Sequence, residues 1–314
     1  MDRFSLLFGG SDINKVLKDT DIYLAGKYKL ERIIGSGTFG DVFIADGKVL
    51  KIVSGHWADK EVLAYERLLS KCGGYVTCYV ESFIYKHPKG DFLVIVQELL
   101  DRDLLAYNMK VEQASRLLVD LLMAVDCLHQ SGIAHMDIKP ENILIKYPFT
   151  VKLSDLGLIC DERASIDECS ARGTYLPSYI LENINKYEGG ISFDQARSVD
   201  LWGVGITLVI KLAQLGYYNK DFIERFLTGT YFNKKINKYI PLGKVPLINR
   251  PADMGFIPQS IIEEIISILL SNNTKKSAHG ILLSLIKRMK LSKPGEEEFT
   301  LESWKKENNC FEQV

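Results

Sequence analysis

The segment from His135 to Asn142 places a carboxylate, an ammonium and a carboxamide close together in the chain, on Asp137, Lys139 and Asn142. Pro140 lacks a backbone donor and disfavours the helical conformation for the residue before it, so a continuous helix is not expected here. A polar turn that merely closes a helix–strand connection would not require these three groups at this spacing. We therefore interpret the segment as a chemical site on a loop.

A glycine-rich segment earlier in the chain could bind a bulky anion. Gly35, Gly37 and Gly40 lie between two β-type runs, a pattern that predicts a hairpin. Because glycine has no Cβ, the backbone can approach a phosphate closely and present N–H groups to it. The same glycine spacing opens dinucleotide-binding folds when a helix follows it. Here a strand is predicted instead, with Val42 two positions after the third glycine and Phe39 at the tip of the hairpin.

The next predicted strand carries Lys51 between apolar neighbours. Lys51 is either an edge-strand lysine in solvent or a ligand for an anion, and Lys48 is a weaker candidate because it belongs to a tight turn. The helix predicted over residues 57–69 offers two carboxylates, Glu61 and Glu66. Each of them could also be a solvated charge on the helix surface.

These segments, in this order, resemble the motifs of the protein kinase family over roughly residues 28–290. The segment His135–Asn142 is similar to the family's catalytic loop, His-Arg-Asp-x-Lys-x-x-x-Asn, with Met136 in place of the arginine. The glycine segment is similar to the family's glycine loop, and Asp155-Leu156-Gly157 is similar to its metal-binding Asp-Phe-Gly. Gly173-Thr174 matches the Gly-Thr that precedes the substrate platform of Ser/Thr kinases.

The resemblance implies a role for each matching residue. Asp137 would be the catalytic base, Lys139 would balance charge on the moving phosphoryl group, and Asn142 and Asp155 would hold Mg²⁺. Lys51 would contact the α- and β-phosphates of ATP. The residues implied to bind ATP are Gly35, Gly37, Phe39, Gly40, Val42, Lys51, Glu61, Glu98 and Leu100.

Two assignments concern residues that support the site. Glu61 is chosen as the partner of Lys51 because the residues around it are similar to the family's pattern, while the short connection from Lys51 leaves Glu66 open. His135 would support the catalytic loop by hydrogen bonding and packing. Asp200 would be a buried carboxylate whose hydrogen-bond donors come from the catalytic loop.

The segment that follows the strand predicted over Phe92–Val96 resembles the family's hinge. Gln97 would take the gatekeeper position, and Glu98 and Leu100 would offer backbone groups to adenine. Asp101 or Asp103 would meet the ribose.

The resemblance implies an α+β, two-lobed protein kinase fold. We expect an N-terminal extension over 1–27, a kinase domain over 28–290 and a C-terminal tail over 291–314. The domain would divide into a small β-rich lobe, 28–98, and a larger, mainly helical lobe, 101–290.

Composition argues against several classes of protein. The 314 residues carry a formal net charge of −1, which offers no electrostatic footprint for nucleic acid or for an anionic membrane surface. The first residues lack the pattern of a signal peptide, and the longest apolar run, Leu201–Ile210, is too short to span a bilayer. Six cysteines without close pairs indicate neither a zinc site nor a disulfide framework. We therefore expect a soluble, cytoplasmic protein in a reducing compartment.

The implied function is transfer of the γ-phosphoryl group of ATP to a protein hydroxyl, with Mg²⁺ as cofactor. Lys139 two positions after Asp137, together with Thr174, favours a Ser/Thr acceptor over Tyr. Two alternatives remain, a pseudokinase that binds nucleotide as a scaffold and a kinase that acts on a small molecule. A regulatory partner is left open. In many family members, a phosphate on the activation segment, here residues 155 to about 182, neutralises the arginine at the position of Met136. Because that arginine is absent, we hypothesise that this protein does not require such phosphorylation.

Overall fold

The computed structural model describes residues 23–37, 40–54, 58–87, 90–170, 173–182, 190–218, 232–233, 238–239, 248, 250–292 and 310. These residues fall into two compact units, divided between Leu100 and Asp101, with Cys310 belonging to the first unit. The first unit is dominated by strands and the second by helices, which confirms the predicted α+β class.

An antiparallel six-stranded sheet forms most of the first unit. Its strands are β1 (Tyr23–Leu24), β2 (Tyr28–Gly37), β3 (Gly40–Ala45), β4 (Lys48–Ser54), β5 (Tyr79–His87) and β6 (Gly90–Glu98), in the spatial order β1-β2-β3-β4-β6-β5. Helix α1 (Ala58–Cys72) contacts β5. Leu24 is fully buried in the core of this sheet, so the sheet begins before residue 28, where the predicted domain starts.

The second unit contains the other described helices and several short strands. The helices are α2 (Ala114–Gln130), α3 (Ser178–Glu182), α4 (Phe193–Gln214), α5 (Gln259–Leu269) and α6 (Ala278–Ser292). The strands are β7 (Arg102–Asp103), β8 (Ile133–Ala134), β9 (Ile143–Lys146), β10 (Thr150–Leu153), β11 (Cys160–Asp161), β12 (Phe232–Asn233) and β13 (Lys238–Tyr239). They form three small sheets, β10-β9-β7, β11-β8 and β12-β13.

The two long central helices, α2 and α4, follow from patterns in the sequence. In α2, apolar residues recur three or four positions apart, and the stripe that they form is fully buried, as predicted, at Leu117, Leu118, Leu121, Leu122, Val125 and Leu128. Helix α4 begins with a capping box, in which Gln195 N donates to Ser192 Oγ and Ser192 N donates to Gln195 Oε1. The two helices pack against each other.

Within the described ranges, no helix combines the length and the apolar character needed to cross a bilayer.

Disulfides occur in both units. Cys78 is bonded to Cys310 in the first unit, and Cys160 to Cys169 in the second. None of the six cysteines is free, so the prediction that they form no disulfide framework is wrong. Cys78 and Cys310 are 232 positions apart in the chain, yet their Cα atoms lie 5.3 Å apart. Only folding brings such a pair within bonding range, which is why spacing in the sequence did not reveal it.

A buried ammonium lies at the end of α5. Lys276 Nζ donates to the carbonyl oxygens of Leu269 (2.5 Å), Ser271 (2.8 Å) and Ile268 (3.4 Å). The last carbonyls of a helix have no partner within the helix, and a cation near them is favourable. Burial acts in the opposite direction and lowers the pKa of Lys276 to about 7.

We expect Lys276 to make the stability of the protein depend on pH. Its pKa in the folded protein lies below the ordinary lysine value of 10.5, so between these two values the unfolded chain binds a proton that the folded protein lacks. The free energy of unfolding, measured with urea, should therefore rise with pH in the wild type. The slope should exceed that of Lys276→Met by about 1 kcal/mol per pH unit.

Lys275→Met is the matched control, because Lys275 is the exposed neighbour of Lys276 in the chain. This substitution should leave the pH slope of the unfolding free energy unchanged. Equal slopes for the wild type and Lys276→Met above about pH 7 would show that the ammonium keeps its proton on folding.

Candidate active site

The loop that carries the predicted catalytic residues runs between β8 and β9. Within it, Pro140–Asn142 form one turn of 3₁₀ helix, with the proline at its start. Met136 has a φ of 71°, in the left-handed region that a residue with a Cβ adopts only at an energetic cost. Contacts from outside the loop must offset this cost.

Asp200 in α4 provides those contacts. Its side chain is fully buried, and its Oδ1 accepts from Met136 N (2.7 Å) while its Oδ2 accepts from His135 N (2.8 Å). His129 Nε2 lies 2.9 Å from the same Oδ2. The prediction that the catalytic loop supplies donors for Asp200 is confirmed. Because a buried carboxylate is costly without such donors, helix and loop stabilise each other.

Asp137 is held by donors from two parts of the chain. Its Oδ2 accepts from Lys139 Nζ (2.6 Å) and Asn142 Nδ2 (3.0 Å), and its Oδ1 accepts from Thr174 N (2.8 Å). Lys139 Nζ also donates to Thr174 Oγ1 (3.0 Å). We call Asp137, Lys139, Asn142 and Thr174 the Asp137 cluster. Its bonds fix the orientation of a carboxylate that can still accept a proton.

The paired strands β9 and β10 bring Asn142 and Asp155 to the same end of one ladder. Ser154 N donates to Asn142 O (2.9 Å), and His135 Nε2 lies 2.9 Å from Ser154 O. Asp155 follows directly, with a φ of 62°, and its Oδ1 accepts from Gly157 N (3.3 Å). His135 thus links the catalytic loop to the segment that carries Asp155.

The donor atoms of Asn142 and Asp155 fit Mg²⁺. Asn142 Nδ2 donates to the backbone oxygen and to Oδ2 of Asp137, which leaves the amide oxygen of Asn142 as the ligand atom. Asp155 adds a carboxylate, and Mg²⁺ takes hard oxygen ligands of these two kinds. In the described part of the chain, no group of three or more His, Cys, Asp or Glu side chains could hold a metal ion. A cation here would therefore need further oxygen ligands from water or from a bound phosphate.

In the first unit, Lys51 and Glu61 form a buried ion pair. Lys51 Nζ on β4 lies 2.7 Å and 2.9 Å from the two carboxylate oxygens of Glu61 on α1. Glu66, the alternative partner, is exposed on the same helix, and Lys48 is only half-buried. Both members of the pair would be costly to bury alone, so each fixes the other.

The glycine segment forms the predicted hairpin between β2 and β3, with a strand after its third glycine. Gly35 pairs with Val42, and Gly37 pairs with Gly40. Gly40 has a φ of 126°, and a Cβ there would lie 2.2 Å from the Ile52 carbonyl oxygen, so no other residue fits. Phe39, predicted at the tip, lies outside the described residues.

The predicted hinge residues of the first unit are buried. Gln97 Nε2 donates to Thr77 Oγ1 (3.3 Å). Glu98 N donates to Cys78 O (3.0 Å), and Glu98 Oε1 accepts from Cys78 N (2.7 Å). Leu100 follows and is also buried. These bonds fix the end of β6 against the residues that precede β5.

The two aspartates considered for ribose belong to the second unit. Asp101 Oδ2 accepts from Tyr147 N (2.6 Å), and Asp103 Oδ1 accepts from Ala106 N (2.8 Å). Each carboxylate accepts one hydrogen bond from a backbone N–H, so these contacts do not distinguish the two aspartates as ribose ligands.

Lys211 in α4 is a structural residue that sequence reasoning missed. It is buried, and its Nζ donates to Leu104 O (2.8 Å), Tyr107 O (3.0 Å) and Gln214 Oε1 (2.5 Å). Burial lowers the pKa of this ammonium, although the charge of Asp103 raises it. The signal in the sequence was the single lysine that directly follows the apolar run Leu201–Ile210 within one helix.

Comparison with known proteins gives a consistent picture. A model of the protein kinase domain matches residues 28–276. CBL-interacting serine/threonine-protein kinase 3 of Arabidopsis thaliana is 28% identical over 268 residues, which cover 76% of this chain and 58% of the relative. Sucrose non-fermenting protein kinase 1 of Fusarium virguliforme is 26% identical over 264 residues, 76% of this chain and 36% of the relative. This chain thus spans less than two thirds of the length of either relative.

A probable myosin light chain kinase of Dictyostelium discoideum is 28% identical over 224 residues, which cover 66% of this chain and 70% of the relative.

Substituting Asp200 should destabilise the second unit. Asp200→Asn preserves the size of the side chain but removes its charge and points an N–H₂ group at N–H donors. We expect the free energy of unfolding, measured with urea, to fall by about 3 kcal/mol, since one partner of a buried charged network is lost. Asp194→Asn, at an exposed position in the first turn of the same helix, should cost less than about 1 kcal/mol. Equal, small losses for both variants would contradict this account of Asp200.

Proposed function

Because the chain belongs to the protein kinase domain family, we propose that it is an ATP-dependent serine/threonine protein kinase. It would transfer the γ-phosphoryl group of ATP to a Ser or Thr hydroxyl of a protein substrate. The observation that carries this proposal is the Asp137 cluster, in which one carboxylate is oriented by Lys139, Asn142 and Thr174. A general base needs this combination of fixed geometry and free acceptor capacity.

Within this proposal, Asp137 accepts the proton of the acceptor hydroxyl and orients that hydroxyl for attack. Lys139 bridges Asp137 and Thr174, and its ammonium balances negative charge on the phosphoryl group during transfer. Asn142 holds Asp137 by a bond to its carboxylate and another to its backbone oxygen. Most of the catalytic effect would come from positioning and electrostatic stabilisation.

The remaining predicted residues would bind ATP and Mg²⁺. Asn142 and Asp155 would hold the metal ion, which when bound neutralises charge between the β- and γ-phosphates. Lys51, fixed by Glu61, would contact the α- and β-phosphates. The glycine loop residues Gly35, Gly37, Phe39, Gly40 and Val42 would cover the phosphates, and Glu98 and Leu100 would offer backbone groups to adenine.

A Ser/Thr acceptor is favoured by two observations. The resemblance associates Lys139, two positions after Asp137, and Thr174 with Ser/Thr kinases, and both residues bond to Asp137 and to each other. The Arabidopsis relative is itself named a serine/threonine-protein kinase.

Partners and location remain proposals. The Arabidopsis relative is named for an interaction with CBL, and a regulatory partner of some kind is proposed for this chain too. The cytoplasmic location stays a prediction, and the disulfides argue against its premise of a reducing compartment.

The central test is transfer of label from γ-labelled ATP with Mg²⁺ to a generic protein acceptor. Asp137→Asn should lower the rate by at least about 100-fold, because the amide cannot accept the proton. Glu66→Gln, at an exposed position, should leave the rate unchanged, and removal of Mg²⁺ with EDTA should abolish transfer. Undiminished transfer by Asp137→Asn would overturn the assigned base. ATP binding by the wild type without transfer would favour the scaffold.

Substituting two lysines of β4 in turn tests which of them binds phosphate and which is only a solvated charge. Lys51→Met removes the ammonium and leaves Glu61 buried without this partner, so we expect KM for ATP to rise by about tenfold or more. Lys48→Met, at the half-buried start of the same strand, should change KM for ATP less than about twofold. A larger effect of Lys48→Met than of Lys51→Met would reverse the assignment.

A further inference from the structure

The Cys160–Cys169 disulfide lies at the start of the activation segment, which we define as residues 155–182. Cys160 belongs to β11 and pairs with Ala134 of β8, the strand that leads directly into the catalytic loop. Cys169 O accepts from Ile191 N (2.9 Å), at the residue before the N-cap of α4. The cross-link therefore connects the strand beside the catalytic loop with the entry to the helix that carries Asp200.

Both cysteines pack into one apolar cluster with the catalytic loop. Met136 lies in this cluster and is almost fully buried, as are the two cysteines. The other buried members come from β8, the activation segment and the entry to α4, namely Ala134, Leu176, Ile180, Leu181, Ile191, Ala196 and Val199. The side chain of Met136, next to the proposed base Asp137, therefore packs against apolar side chains.

Met136 also contacts the segment that delivers Thr174. A Cβ on Gly173 would lie 2.1 Å from the Met136 carbonyl oxygen, so the two backbones are in direct contact. Met136 N donates to Asp200, and Thr174 N donates to Asp137. A displacement of Met136 would therefore move both Asp137 and its Thr174 donor.

The chemistry of this cluster does not suit a phosphate. A phosphate brings close to two negative charges and needs paired cations, whereas Met136 has no charge and its surroundings are apolar. Burial of apolar groups and a covalent cross-link order a segment by other means, the second by restricting the conformations of the unfolded loop.

We propose that the Cys160–Cys169 disulfide is a positioning element for the kinase site, one that orders the activation segment around Met136 without a phosphate. This inference rests on the proposed function. Reduction by a dithiol would take two electrons and two protons, break the S–S bond and leave two thiols, while the reductant becomes a disulfide. Both cysteines are buried, so thiols reach the bond only when the segment opens.

The test compares two disulfides in the full chain. The Cys160→Ala/Cys169→Ala double variant should lower kcat/KM for a generic protein acceptor at least tenfold, while KM for ATP changes less than twofold. Cys78→Ala/Cys310→Ala removes the disulfide of the first unit and should leave kcat/KM for the protein acceptor within twofold of the wild type. Thermal unfolding of each variant shows that the assays are done on folded protein.

Phosphatase treatment gives a measurement that needs no cysteine substitution. Wild-type enzyme treated with phosphatase should keep its activity within twofold, and so should Ser165→Ala and Ser170→Ala. Loss of activity after phosphatase, or in either serine variant, would overturn the proposal. The same holds if the Cys160→Ala/Cys169→Ala variant is as active as the wild type.

The location of the bond is checked by proteolysis. Trypsin cuts after Arg163, which is exposed between the two cysteines, and the resulting peptides should stay joined until a reductant is added. Peptides that separate without reductant would refute the cross-link. An inactive wild type would remove the proposed function and this inference together, whereas an active wild type with an equally active double variant would remove the inference alone.

Discussion

The buried Asp200 carboxylate is the interaction on which the site of the second unit depends. It lies within α4 and is fully buried, so its desolvation would cost a large free energy if the charge were unpaired. It accepts hydrogen bonds from His135 N and Met136 N, and His129 Nε2 lies within hydrogen-bond distance. These bonds hold Met136 in a left-handed conformation that its Cβ disfavours. Asp137 follows immediately, so the direction of its side chain is set by a helix far away in sequence.

Three buried lysines of the described chain are each matched by oxygen atoms. Lys51 is paired with the Glu61 carboxylate, Lys211 with carbonyls near β7, and Lys276 with the carbonyls that end α5. Desolvation makes an ammonium without such partners too costly to keep in a core. In each case the lysine fixes a backbone segment or a partner side chain, so these charges determine local geometry more than they add net stability.

The described part of the activation segment, residues 155–170 and 173–182, packs into the second unit through many apolar contacts. Its first part is closed by the Cys160–Cys169 bond, and the part that follows the disulfide carries Leu176 and Ile180 into the same cluster as Met136. A cluster of this kind does not depend on an added phosphate, and salt does not screen it as it would a surface ion pair. Under the proposal above, the Cys160–Cys169 bond adds a covalent constraint to this packing.

Much of the fold and part of the site follow from local sequence. The α2 stripe, the hairpin of β2 and β3 and the loop around Pro140 depend on residues that are neighbours in the chain, and these predictions were correct. Family membership confirms the two-lobed kinase fold that the ordered motifs implied. The spacing of Asp137, Lys139 and Asn142 likewise placed three groups on one loop.

Other features depended on contacts between distant residues. Glu61 and Glu66 lie on one helix and have the same chemistry, and only the packing of α1 against the sheet brings Glu61 to Lys51. Spacing in the sequence also did not indicate which carbonyls Lys276 contacts, or that Cys78 bonds to Cys310. The sequence by itself determined which groups are available and which lie near one another along the chain. The tertiary structure alone decided which charges and sulfurs are buried together, because burial and pairing depend on three-dimensional neighbours that spacing does not encode.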